Sequence, residues 1–514
     1  MSTSSINSLL SSLNPSTNES LAELLGESST SSSTSSSQNS AIQDAVNAIL
    51  NSATNTSGSG IDVTSTVDAI LQIDAQPEVN LQNQVTALGT QTSALQSIET
   101  DLASLQTAVQ ALSDPTGAFS AVSVNSSNND VVSATAANGA AAGSHTITVD
   151  SLATTSAEYS APQTSSTSAL PTGTLNIQVG SNTAVPITVG TAGSTDNLSD
   201  LATYINQQNM GVTASVITDT SGARLSLVSQ TSGTAGALTI TDNTGTTGSD
   251  GMGFTPATDA QGNPLGTNAS LTVDGVPVTS GSNTVTGVIP GVTLTLSGAS
   301  STPVTLAVQP DLTQVSTAIN NFVTAYNQVM TDINTQNTYS GSGTPPPLLG
   351  DPSLDLLQSQ LLNGITTSIT GNNGLVNLQS IGIQLQENGT LTVASSASPD
   401  SMSLNDALTN DFSSVQNLFQ SSSSPGVAQA LNTALTAITD PTNGPLNLDM
   451  SGITSQVSDL NTQISNFQYQ LQQTQAQLTL EYDTINTTLE QLPETLASIN
   501  SQLNSLNPPN TSNG

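Results

Sequence analysis

The sequence has no cysteine, no tryptophan, one histidine and a single residue among Lys and Arg, in 514 residues. Each absence removes a class of chemistry. Without cysteine there is no disulfide, zinc thiolate, iron–sulfur cluster or thiol nucleophile. The one cation is Arg224, so a phosphate-binding loop, a Schiff base and a kinase site all lack their lysine. A two-histidine metal motif cannot form around the lone His145. That residue opens the alternating stretch HTITV, where it reads as a strand position, and a Ser-His-Asp site would have to be built on it alone. Neither a cofactor nor a metal is expected.

Positive charge is missing as a class. Against 36 Asp and Glu the net charge is −35, although only 7% of the chain is charged. Nucleic acid and anionic lipid both recruit clustered Lys and Arg, so neither is an expected partner. Aromatics at 2% and hydrophobics at 35% allow only thin cores, spread over about three domains at this length. No apolar run reaches the roughly 18 residues of a membrane span, so no membrane insertion is expected. The first ten residues, MSTSSINSLL, carry no basic residue ahead of their short apolar patch, which does not fit a conventional secretory signal. The neutral Ser/Thr surface and lack of cysteine nevertheless suit a secreted protein that leaves the cell without a cleaved signal.

Residues 1–59 read as a Ser/Thr-rich disordered leader, since Ser28 to Ser40 contains only Ser, Thr, Gln and Asn and such composition cannot offset its ordering entropy. Within the leader, Leu21, Leu24 and Leu25, and then Ile42, Val46, Ile49 and Leu50, have helical spacing. These patches are expected to fold against a partner. From residue 60 to 118 a helical pattern follows, interrupted at Pro77, in which Leu81, Leu88, Leu95, Leu102 and Val109 recur every seven residues until Asp114-Pro115. Sustained heptads indicate a coiled coil or bundle helix.

The period then drops to two. Alternating runs such as Ile147 and Val149, Leu225 and Leu227, Val292, Leu294 and Leu296, and Val304, Leu306 and Val308 predict an all-β middle, with one short helix near Leu198 to Ile205. The Asp274-Gly275 pair between two such runs predicts a tight hairpin. The expected division is a β domain of 119–170 with 268–310, and a second β domain, 171–267, inserted in it. Residues 311–507 return to helical spacing, beginning with Leu312, Val315, Ile319, Phe322 and Tyr326 behind Asp311 as N-cap. Residues 508–514 read as a disordered tail. In the longest terminal pattern, Val457, Ile464, Leu471, Leu478, Ile485, Leu492, Ile499 and Leu506 keep one heptad phase. Pro493 lies inside this pattern and is expected to kink or restart the helix, because it removes a backbone donor. Helices at both ends and strands in the middle give an α+β fold class, with terminal helices paired as a coiled-coil stalk and the β domains as a head.

The ordered motifs resemble the flagellar hook-associated protein 2 family of filament caps. They are GIDVTSTVDAIL at 60–71, AGSHTITVDSLA at 142–153, GARLSLVSQTSG at 222–233, LTVDGVPVT at 271–279 and NTVTGVIPGVTLTL at 283–296. INNFVTAYNQVMTDI at 319–333, LLGDPSL at 348–354 and IGIQLQENGTLTV at 381–393 complete the set, which covers about 60–507. The resemblance implies export through the flagellar type III apparatus with a chaperone, and assembly into a ring-like homo-oligomer at the distal filament tip. There flagellin would fold and insert beneath the cap. It brings no catalytic residues, and no enzyme is expected. Val67, Ile70, Leu71, Leu81, Leu88, Leu95, Leu102, Leu489, Leu496, Ile499 and Leu503 are the expected subunit or filament contacts.

The sequence departs from the family in its long leader and in the Gln, Asn and Thr that stand where coiled-coil Lys and Arg are common. Three other classes share part of this pattern. Flagellin or a hook-filament junction protein also pairs terminal helices around a β head, but lacks the TVDG-to-PGVTLTL block. A surface adhesin remains compatible with the Ser/Thr-rich strands, although Asp242 to Gly251 is not a calcium loop of usual spacing. A glycosidase would rest on paired carboxylates such as Asp150, Glu158, Asp274 and Asp311, with almost no aromatics to stack sugars.

Overall fold

The structure is a computed structural model that describes residues 62–245, 251–260, 262–397, 401–421 and 425–506. The leader, with its patches at Leu21–Leu25 and Ile42–Leu50, and the tail 508–514 lie outside the described residues. The chain divides into two compact units, and each is taken by itself.

The first unit comprises described residues 62–97, 339–349 and 441–506. It opens with helix α1 (Val63–Asp74), which starts where it does because the Asp62 carboxylate accepts from the Ser65 amide at 3.1 Å and the Ser65 hydroxyl at 2.7 Å. Such a bond satisfies a donor that the first turn leaves unpaired. The hydroxyl bond, followed by the amide bond, holds the Asp62 carboxyl below its ordinary range. After Ala75 comes α2 (Gln76–Ser113), with Pro77 in its first turn, where a missing N–H has no intrahelical partner to lose. α2 ends immediately before Asp114-Pro115, as its sequence predicts.

In the second unit, β1 (Val122–Ser126), β2 (Val132–Ala136), β3 (Gly143–Ser151) and β4 (Thr155–Tyr159) follow the end of α2. Next come β5 (Gly173–Val179), β6 (Val185–Val189), α3 (Leu198–Gln207), β7 (Val212–Asp219), β8 (Gly222–Ser232), β9 (Leu238–Thr244) and β10 (Thr255–Pro256). The strands continue with β11 (Ala269–Val273), β12 (Val276–Ser280), β13 (Thr284–Thr286), β14 (Val292–Leu296) and β15 (Ser300–Pro310). A sheet of order β1-β15-β3-β11-β12 and another of order β13-β14-β2 share a core that includes Ile147, Val149, Leu271, Leu294 and Leu306. Alternate residues of β14 point inward, in keeping with the two-residue period.

A separate core gathers Leu175 and Ile177 of β5, Leu201 and Ile205 of α3, and Leu225 and Leu227 of β8. Its strands form sheets of order β10-β4-β8-β7 and β6-β5-β9. Polar bonds tie the two β cores together: the Ser232 hydroxyl donates to the Gly281 carbonyl at 2.7 Å, and the Thr234 amide to Asn268 Oδ1 at 2.8 Å. The Asp274-Gly275 hairpin joins β11 to β12 with Val273 opposite Val276, and both turn residues have positive φ, 51° and 81°. Two left-handed residues are what a type I′ turn requires, and glycine adopts that conformation without a Cβ clash.

The helical part of this unit begins with α4 (Leu312–Asn337), whose Asp311 N-cap accepts from the Gln314 amide at 2.9 Å. It continues through α5 (Pro352–Ile365), the hairpin of β16 (Ile383–Leu385) and β17 (Leu391–Val393), α6 (Leu404–Asn410), α7 (Phe412–Gln420) and α8 (Val427–Ile438). Phe419 lies 5.6 Å from Phe119 and 6.5 Å from Phe322 between ring centroids, and Phe119 lies 6.0 Å from Phe412. Four of the chain's six phenylalanines therefore meet in one place. The Gln420 side-chain amide donates to the Leu112 and Asp114 carbonyls at 2.7 and 2.8 Å, closing the end of α2 with a residue from α7.

The last helix, α9 (Pro445–Leu506), belongs to the first unit and runs unbroken through Pro493. The restart expected at that proline does not occur. Pro493 removes the bond to the Leu489 carbonyl, but both residues are exposed, so water can satisfy that carbonyl and the penalty of the proline falls. The chain is α+β, with an all-β middle between helical ends.

Candidate assembly surface

The sequence-chosen contact residues separate by burial. Val67 is 2% exposed, Leu95 1% and Leu102 0%, so these side chains already belong to cores. Ile70 and Leu71 of α1, and Leu81 and Leu88 of α2, are half-buried. On α9 the outcome reverses: Leu489, Leu496, Ile499 and Leu503 are 37%, 54%, 47% and 60% exposed.

The half-buried group has a partner in α9. Gln468 Nε2 donates to Glu78 Oε1 at 2.6 Å, and Leu88 shares a groove with Gln84, Gln456, Asp459, Leu460 and Gln463. Later residues of α2 thus meet earlier residues of α9, so the helices are antiparallel. α1 also packs on α9, and its place ahead of Glu78 puts it beyond Gln468 toward the α9 C-terminus. Every residue from Thr487 to Leu503 is exposed.

That exposed length carries an apolar stripe. Ile485, Leu489, Leu492, Leu496, Ile499 and Leu503 advance by four and three residues, which keeps them on one helix face. Glu490 and Glu494 fall on the other faces. The sequence pattern contained Ile485 and Leu492 as heptad positions, but their inclusion in a surface rests on exposures of 38% and 51%. Leu480 and Tyr469, exposed by 70% and 64%, lie off this line and had no distinguishing signal. A continuous apolar stripe facing water is a candidate association surface, and neither helix offers a cation for an ion pair across it.

His145 and Arg224 each fasten strands of the β region. His145 Nδ1 lies 2.7 Å from Asp274 Oδ2, and the Thr146 amide donates to Asp274 Oδ1 at 2.8 Å. These contacts, the histidine first, hold the Asp274 carboxyl below its ordinary range. Arg224 donates to Asp219 at 3.3 Å and to the Ser160 carbonyl at 3.1 Å, with its guanidinium 5.7 Å from the Tyr159 ring centre. Among the described residues no group of three acids, histidines or cysteines could hold a metal ion, and no helix is long and apolar enough to cross a membrane.

One carboxylate pair gives a pH dependence. Hydrogen bonding to Asp332 of α4, and secondarily burial, pushes the Asp101 carboxyl of α2 up to about 6 from 3.8. The folded chain then holds a proton between those values that the unfolded chain releases, so this pair favours folding increasingly as pH falls through about 6. The pair is largely solvated, and screening keeps its effect below about 1 kcal/mol. Asp332→Asn is expected to raise the melting temperature at pH 7.5 and to flatten its rise between pH 7.5 and 4.5, measured by circular dichroism. An unchanged slope in the variant would contradict the shared proton.

Comparison with known proteins places this architecture. Residues 59–156 match the family model of the flagellar hook-associated protein 2 N-terminus, 266–494 that of its C-terminus, and 174–231 the flagellin hook IN motif. The B-type flagellar hook-associated protein 2 of Pseudomonas aeruginosa is 31% identical over 402 residues, which is 74% of this chain and 82% of that protein. The flagellar hook-associated protein 2 of Escherichia coli K12 is 28% identical over 328 residues, 61% of this chain and 69% of that one. The solved D1-D2-D3 domains of the Escherichia coli flagellar cap protein superpose with a TM-score of 0.54 at 28% identity, covering 70% of this chain and 99% of theirs. With matches in order from α1 to α9, the chain belongs to the flagellar hook-associated protein 2 family.

Proposed function

We propose that this protein is a structural cap, secreted to the distal tip of the bacterial flagellum, where a ring-like homo-oligomer promotes folding and insertion of exported flagellin. Flagellin and further copies of the chain are its partners, and the flagellar type III apparatus with an export chaperone delivers it. The exposed stripe on α9 is the observation that carries this reading: a helix with six large apolar side chains facing water gains by burying them in an assembly. The paired terminal helices form the stalk, while 119–170 with 268–310 and the inserted 171–267 form the head domains. A chain without disulfides also suits export in an unfolded state.

Deleting the gene in its own organism tests the reading. The expected result is cells with hooks but no filaments, and flagellin released into the medium as monomer. Normal filaments with a loss of surface attachment alone would replace the cap with an adhesin.

A further inference from the structure

The hairpin of β16 and β17 has two edges, and the chain closes only one of them. The Ala394 amide donates to the Gly382 carbonyl and the Gln386 amide to the Thr390 carbonyl, each at 2.8 Å. With Gln384 opposite Thr392, the positions of β16 that bond across the hairpin are therefore 382, 384 and 386. In an antiparallel pair the residues between such positions turn their N–H and C=O groups outward. On the β17 side the outward groups of Leu391 are taken by the Asn327 side chain of α4, which accepts from the Leu391 amide at 2.6 Å and donates to its carbonyl at 2.7 Å. A side-chain amide thus stands where the peptide group of a further strand would be. On the β16 side the outward groups belong to Ile383 and Leu385, and neither residue has such a partner among the described residues.

The open edge borders a cavity of about 410 Å³ that all three residues of β16 line. Successive strand residues point to opposite faces, so a cavity touching all three reaches the edge of the strand. Ile365 at the end of α5, Leu378 and Leu391 give it a buried apolar wall. Gln379 and Gln384 stand exposed around it, and Leu385 is itself 45% exposed. No charged residue lines the cavity, in a chain of net charge −35.

We propose that this edge and cavity form a β-augmentation site for an uncharged, extended polypeptide segment, which on the cap reading above is a stretch of exported flagellin that has not yet folded. Unpaired edge groups specify a strand as the occupant. An added strand satisfies the two N–H and two C=O groups of Ile383 and Leu385 and lays an apolar side chain into the cavity. A charged side chain entering there loses water without gaining a counter-ion, which selects neutral segments. Main-chain recognition tolerates many sequences, and an edge of three residues offers few bonds, so the segment is held briefly and released.

Fluorescein-labelled ten-residue peptides that tile the flagellin of the same organism, titrated with the full chain and read by fluorescence anisotropy, test the site. At least one uncharged peptide is expected to bind, and its fully N-methylated counterpart to bind at least tenfold more weakly. Leu385→Pro removes an outward N–H that the hairpin does not use, so it should weaken binding at least tenfold with the melting temperature unchanged. Leu385→Ala keeps that N–H and should bind at least threefold more tightly than the proline variant. An alanine variant as weak as the proline one overturns edge pairing. So does equal binding of the N-methylated peptide, a result that stands even if the proline variant does not fold. Self-association in sedimentation that Leu385→Pro abolishes would assign the edge to a second copy and overturn the proposal as well. Peptide binding by a protein whose deletion leaves filaments normal refutes only the cap, whereas loss of filaments on deletion with no peptide bound refutes only this site.

Discussion

Phe419→Ala is expected to destabilise the helical part of the second unit by about 3–5 kcal/mol, the usual cost of emptying a buried aromatic site. The value belongs at the upper end because Phe419 is 0% exposed and its ring meets both Phe119 and Phe322. With aromatics at 2% of the chain, the neighbourhood has few large side chains with which to refill the cavity. Phe119 follows α2, Phe322 lies on α4 and Phe419 on α7, so the lost contacts are the ones that fasten three separate stretches of sequence. The β cores of Leu175 and Leu225 and of Ile147 and Leu294 do not include Phe419. Urea unfolding followed at 222 nm should therefore shift the helical transition down by about 1 M or more, given slopes of a few kcal/mol/M at most. The strand signal should stay in place. Parallel movement of both signals would mean that the cores unfold as one and would sink the claim of separate cores.

Leu496→Asp combined with Leu503→Asp is expected to leave the free chain folded and to abolish filament growth. The two leucines are 54% and 60% exposed, and substitution at such positions usually changes stability by no more than about 0.5 kcal/mol. Once the stripe is buried in an assembly, each aspartate becomes an unpaired charge out of water, a penalty of several kcal/mol per subunit. No lysine exists in this chain to compensate it. In the deletion background the variant should be exported and melt like the native chain, yet yield no filaments and raise monomeric flagellin in the medium at least tenfold. Filaments of normal length would remove the stripe from the assembly. Leu95→Asp is the contrasting control, since its side chain is 1% exposed and the substitution should unfold the local structure instead.

Much of the architecture was legible before any coordinates. Seven-residue spacing identified α2 and the long α9, and Asp311 was legible as the N-cap of α4. The two-residue period identified the strands, and Asp274-Gly275 their hairpin. These features depend on neighbours a few residues apart, so local sequence contains both partners of each interaction. The restart expected at Pro493 does not occur, because its penalty depends on whether the carbonyl it orphans can reach water, which local sequence does not state. The Phe119, Phe322, Phe412 and Phe419 cluster was invisible for a related reason: its members come from distant stretches and share no spacing.

The assembly surface shows the division most sharply. By itself the sequence determined the helices, their apolar faces, the near absence of cations and the family's ordered motifs. Leu95, Leu102, Leu496 and Leu503 are all leucines in heptad runs, and nothing local distinguishes them. Only the tertiary structure decided that the first two are buried and the last two face water, because burial depends on which other segments the chain brings alongside, and α1 and α2 do not follow α9 to its end.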